Sequence, residues 1–113
     1  MKTPIERVAE AKARINEISV EQFNSNDFVN YTVVDVREPK EYQASNINNC
    51  INIPRGILEF EISKHCEANS LATEIVLYCR TGGRSALAAE ALLDLGYSNV
   101  VSLAGGIVAW QVN

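Results

Sequence analysis

The sequence predicts an α/β fold, a mostly parallel sheet covered by helices on both faces. Three observations carry the prediction. Short runs rich in β-branched and apolar residues, Tyr31 to Val36, Ile75 to Tyr78 and Val100 to Leu103, alternate with stretches of helical periodicity. The run Ile75-Val76-Leu77-Tyr78 is apolar at every position, as a central strand buried on both faces requires. Asp35, Arg37 and Cys79 stand at the carboxyl ends of two of these runs, the edge where parallel sheets bind ligands.

The elements follow in order. Thr3-Pro4-Ile5-Glu6 reads as a capping box with proline at the first helical position. Val8, Ala11, Ile15 and Ile18 then recur at three- and four-residue spacing, predicting one helix with a narrow apolar stripe. Ser19-Val20-Glu21-Gln22 is a second capping box, opening a short helix through Phe23 that the polar run Asn24 to Asp27 ends. After the strand Tyr31 to Val36, Pro39 starts a helix through Glu41 and Tyr42, with Glu38 near its cap. Cys50 to Pro54 is a short strand stopped by proline. From Arg55 to Cys66 the residues Ile57 and Phe60, with Leu58 and Ile62, give a helical stripe whose end holds His65 and Cys66. The helix after Cys79 carries Leu87, Ala91 and Leu95 on one face with Ala88 and Leu92 beside them, and Gly96 caps it. After Val100 to Leu103, Gly105-Gly106 turns the chain into a last short helix whose Trp110 closes the core.

The chemistry concentrates in Cys79-Arg80-Thr81-Gly82-Gly83-Arg84, a loop joining a strand to a helix beginning near Ser85. Backbone N–H groups and the positive end of the helix dipole converge above Cys79. Arg80 and Arg84 add positive charge, while Gly82 and Gly83 let the backbone curl into a nest of donors. A free cysteine is most often a buried filler, but a filler needs no pair of arginines and no Gly-Gly in its own turn. Cys79 therefore reads as a nucleophilic thiolate in an anion cradle. Asp35 and Arg37 are expected nearby, as an ion pair that supports the loop.

Composition narrows the function classes. The chain has 113 residues, enough for one domain with an ordinary core. A net charge of -4 and a pI near 4.9, without a basic run, speak against a nucleic-acid or membrane surface. Cys50, Cys66 and Cys79 form no CxxC pair and no cluster with the single His65, so no metal site is expected. An odd cysteine count fits a reducing compartment, and with no apolar leader or membrane-length run the expected location is cytoplasmic.

Four blocks in order, Val33 to Glu38 with Glu41-Tyr42, Ile51 to Pro54, Tyr78 to Ser85 and Leu103 to Trp110, resemble the rhodanese-like domains, sulfurtransferases that carry sulfur as a cysteine persulfide. The resemblance runs from about Ile18 to Trp110. It implies a three-layer α/β/α sandwich with about five strands, covering residues 18–113, with residues 1–17 a helical extension. It implies Cys79 as the sulfur carrier and Arg80, Thr81, Gly82, Gly83, Arg84 and Ser85 as the binding loop for a small anionic donor such as thiosulfate. The acceptor would be a thiol, cyanide or a protein, and no cofactor is needed. Where many members carry a histidine and a glycine before the third strand, this chain has Asn46-Ile47-Asn48-Asn49, and asparagine tolerates the left-handed turn. A carrier module that docks on a partner through the N-terminal helix is the alternative; turnover of thiosulfate and cyanide distinguishes the two. Four residues, not five, separate Cys79 from Arg84, a loop too small for the phosphoryl cradle of a cysteine phosphatase.

Overall fold

A computed structural model describes residues 1–112. Its elements are α1 (Pro4–Arg14), β1 (Asn16–Ile18), α2 (Val20–Phe23), β2 (Thr32–Asp35), α3 (Pro39–Ala44), β3 (Cys50–Asn52), α4 (Leu58–Glu61), β4 (Ile75–Tyr78), α5 (Gly83–Asp94), β5 (Val100–Leu103) and α6 (Gly106–Gln111), with short 3-10 turns between some of them. The five strands pair in the order β1-β5-β4-β2-β3, and every pairing is parallel. The sheet is thus wholly parallel, with β4 at its centre.

Alternation along β4 divides the core in two. Ile75, Leu77 and Cys79 point to the face covered by Leu58, Ile62, Ala88, Ala89 and Leu92 from α5 and the segment around α4. Val76 and Tyr78 point to the opposite face, where Val20, Ile47 and Ile107 are buried beside them. Trp110 packs on that second cluster, half-buried at its margin. The α/β/α layering is therefore as the sequence reading has it. No helix among the described residues is long and apolar enough to cross a membrane.

Three local readings need correction. The first helix ends at Arg14, and Asn16–Ile18 is a strand, the edge partner of Val101, Ser102 and Leu103. Ile18 is buried because it lies in the sheet, not on a helical stripe. The segment from Arg55 to Cys66 is a single turn of α-helix between 3-10 turns; Leu58 and Ile62 face the core, whereas Phe60 is 79% exposed and Ile57 is exposed too. In α5 the buried face is Ser85, Ala88, Ala89 and Leu92, and Leu95 is exposed. This helix is covered twice, by the sheet below and by α1 above, so its apolar surface is broad and no single stripe identifies the inner face. The asparagine turn forms as expected, with Asn49 at a φ of 63°.

Candidate active site

Cys79 leaves the carboxyl end of β4, 1% exposed beneath the first turn of α5. Its Sγ accepts a hydrogen bond from the Gly82 N–H at 3.1 Å. That contact needs a tight turn, which Gly82 supplies at a φ of 114°. The first intrahelical bond of α5 runs from the Ala86 N–H to the Gly82 carbonyl. The amides of Gly83, Arg84 and Ser85 precede it and are left to an outside acceptor, as in any helix start. Of the four consecutive amides from Gly82 to Ser85, that of Gly82 holds the sulfur.

The outer side of the loop is held from behind. The carbonyls of Cys79 and Arg80 accept hydrogen bonds from the Ile107 and Val108 N–H groups at 2.9 and 3.2 Å, so the start of α6 clamps two loop peptides in orientation. Gly106 makes this approach feasible, because a Cβ there would lie 2.4 Å from the Arg80 oxygen and 2.5 Å from the Cys79 oxygen.

The residues singled out in the sequence divide into groups. Arg80 and Thr81 form the exposed rim, and no partner of the Arg80 guanidinium is found among the described residues. Ser85 is fully buried; its Oγ lies 3.5 Å from the Cys79 Sγ and 2.8 Å from the Ser102 Oγ, and donates to the Gly82 carbonyl. Arg84 binds Glu41 through both terminal nitrogens, Nη1 to Oε1 at 2.7 Å and Nη2 to Oε2 at 3.0 Å. Hydrogen bonding by Arg84, ahead of other causes, holds the Glu41 carboxyl at about 2. The Arg84 guanidinium is raised in turn, first by Glu41, with a smaller contribution from the charge of Cys79.

Asp35 and Arg37 form a buried ion pair, with Nη2 2.7 Å from Oδ2. Their hydrogen bonds reach Tyr78 and the Ser45 carbonyl, not residues 80–85. The Tyr78 hydroxyl donates to Asp35 at 2.7 Å, accepts from the Ile47 N–H at 3.1 Å and lies 3.3 Å from the Cys50 Sγ. Burial first, then Cys50 and Asp35, push the Tyr78 phenol well above its ordinary value against the opposing pull of the Ile47 N–H, so it stays a neutral donor. The network thus braces the residue before Cys79. Asn52 joins it by donating to the carbonyls of Asp35 and Arg37.

Glu41, Tyr78, Ser102 and Gly106 were not among the predicted site residues. Ser102 had a faint signal, a lone hydroxyl in an apolar strand; the Glu41–Arg84 pair, 43 residues apart, had none.

The family model of the rhodanese-like domain matches residues 8–113. A sulfurtransferase of Allochromatium vinosum is 32% identical over 98 residues, covering 85% of this chain and 88% of that protein. A solved structure from Rhodopseudomonas palustris, a protein of unknown function described as a possible tyrosine phosphatase, superposes with a TM-score of 0.84 at 27% identity, over 99% of this chain and 91% of its own. The human single-domain sulfurtransferase TSTD1 gives a TM-score of 0.75 at 26% identity, over 86% of this chain and 96% of its own.

Proposed function

The chain belongs to the rhodanese-like domain family, and on that premise we propose that it transfers sulfane sulfur through a persulfide on Cys79, taken from thiosulfate or a similar donor and given to a thiol or cyanide. The observation that carries the reading is the hydrogen bond from the Gly82 N–H to the Cys79 Sγ, beneath three further amides with no helical acceptor. The Cys79 thiolate attacks the outer sulfur of thiosulfate, a new S–S bond forms, the old one breaks, and sulfite leaves with its electron pair. The loop amides stabilise the anionic persulfide where its outer sulfur comes to rest. An acceptor thiolate then attacks that outer sulfur, which restores Cys79 as a thiolate. Arg80, free at the rim, draws the anionic donor in.

Phosphatase chemistry is the second reading, since one structural neighbour is described in those terms. Two features weigh against it. The loop holds four residues between Cys79 and Arg84, and the acids at this edge of the sheet are committed, Asp35 to Arg37 and Tyr78 and Glu41 to Arg84. Sulfite leaves as a stable anion and needs no proton, whereas an alkoxide does. The test is the intact mass before and after thiosulfate treatment. The expected result is a gain of one sulfur atom, reversed by a reducing thiol, absent in Cys79→Ser, and no turnover of aryl phosphate. A gain that persists in Cys79→Ser would assign the chemistry to Cys50 or Cys66.

A further inference from the structure

Three arginines lie in or beside the loop, and two are already neutralised. Arg37 is spent on Asp35 and the Ser45 carbonyl. Arg84 is spent on Glu41, in a bidentate pair whose carboxylate also accepts the Glu38 N–H at 3.0 Å and is thereby fixed at the start of α3. Of the three, Arg80 alone has no partner among the described residues and offers an unmatched positive charge. A dianionic donor finds one cation and a set of amide dipoles, although three guanidinium groups stand near.

We infer that Glu41 sets donor specificity, by holding Arg84 away from the incoming donor so that the site favours sulfane donors carrying one negative charge over the dianion thiosulfate. The inference rests on the proposed Cys79 chemistry and adds the charge class of the donor. Glu41 touches no reacting atom and acts through Arg84, so it is a positioning residue. Its carboxyl, held at about 2, is ionised at any pH at which Cys79 would work, so the neutralisation is permanent rather than pH-gated. Arg84 stands in the first turn of α5, two residues after the Gly82 whose N–H holds the Cys79 Sγ, so its release from Glu41 would bring a full positive charge to the donor's approach.

Thiosulfate and methanethiosulfonate make a matched pair of donors. Each presents one terminal sulfur to Cys79; the thiolate attacks it, the donor S–S bond breaks, and sulfite leaves from the dianion or methanesulfinate from the monoanion. With each rate normalised to its uncatalysed reaction with a small thiol, the parent protein should show the larger kcat/KM for methanethiosulfonate. Glu41→Gln should raise kcat/KM for thiosulfate by roughly tenfold, the order expected for one extra unit charge a few ångströms away at a protein surface, and by much less for methanethiosulfonate. The gain should fall on KM, steepen the salt dependence, and vanish in Glu41→Gln/Arg84→Gln. A parent preference for thiosulfate, a proportional loss with both donors, or a gain surviving in the double variant would each overturn the inference. The parent comparison needs no variant and decides the matter even if Glu41→Gln unfolds. Loss of all Cys79-dependent sulfur gain with either donor would instead remove the underlying reading.

Discussion

Alanine at Gly106 tests whether α6 builds the loop. Gly106 has a φ of 59°, and the added Cβ would lie 2.4 Å from the Arg80 oxygen and 2.5 Å from the Cys79 oxygen, both backbone atoms with no rotamer to yield. Real Cβ contacts stay beyond 3.0 Å, so helix and loop must separate by at least 0.6 Å, the difference between 3.0 and 2.4. That separation strains or breaks the bonds from Ile107 and Val108, each contributing about 1 kcal/mol. Left-handed backbone costs an alanine about 1 kcal/mol more. Gly106→Ala should therefore lose about 2–4 kcal/mol in urea unfolding and on the order of 10 °C in Tm. Because displaced loop amides no longer meet the sulfur, the rate of sulfur loading should fall by roughly a hundredfold. Gly56→Ala is the control, since nothing lies within 4 Å of its added Cβ, and it should stay within about 0.5 kcal/mol of the parent. A Gly106→Ala protein as stable and as quickly loaded as the control would refute the clamp.

Further expectations concern the braces around the site. Tyr78→Phe leaves the buried Ile47 N–H without its acceptor and removes a donor from Asp35, so unfolding should become easier by about 1–3 kcal/mol; a change below about 0.5 kcal/mol would mean that the hydroxyl is not integrated into the network. Glu41 has a folded-state value lowered from 4.5 to about 2, so its pair with Arg84 stabilises the protein above pH 4.5 and that contribution disappears as pH falls toward 2. The carboxylate is one-third exposed, so the contribution is under about 1 kcal/mol; Tm measured against pH at low salt should show a shallower acid limb in Arg84→Gln, and identical limbs would deny the pair in solution. Glu90, nearly buried on α5, is held by Arg7 at 3.0 Å and Arg14 at 2.9 Å from α1. Arg7→Ala/Arg14→Ala strips both partners and should expose the α1 amides to rapid hydrogen exchange, whereas unchanged protection would show that the helix is held by Ala11 and Ile15 alone.

The legible parts of the fold were those written locally. Both capping boxes occur as read, with Thr3 accepting from the Glu6 N–H and Ser19 from the Gln22 N–H, because their partners lie three residues away. The uninterrupted apolar run placed β4 in the centre, and the glycines and arginines around Cys79 marked the loop. What the sequence hid depends on distant partners. Ile15 and Ile18 continue the spacing of Val8 and Ala11, and no glycine or proline stops the helix, so only pairing with β5 reveals β1 as a strand. Arg84 read as an anion ligand because its charge is visible in the loop, while the carboxylate that occupies it comes from another helix. Asp35 and Arg37 were legible as a pair two residues apart, but their target, Tyr78, belongs to the neighbouring strand.

The pairing of β1 with β5 has a kinetic consequence. Asn16 meets Val101, about 85 positions further along, and the loop around Cys79 is not complete until the still later residues Gly106 to Val108 are in place. Closing so long a segment is entropically costly and slow compared with the local turns. A chain emerging from synthesis can therefore form β2, β3 and β4 while the peptides that aim the amides at Cys79 remain unfixed. The loop around Cys79 is completed only by the last steps of folding, so an unfinished chain lacks the clamp that α6 places on it, and the proposed sulfur transfer would belong to the finished domain.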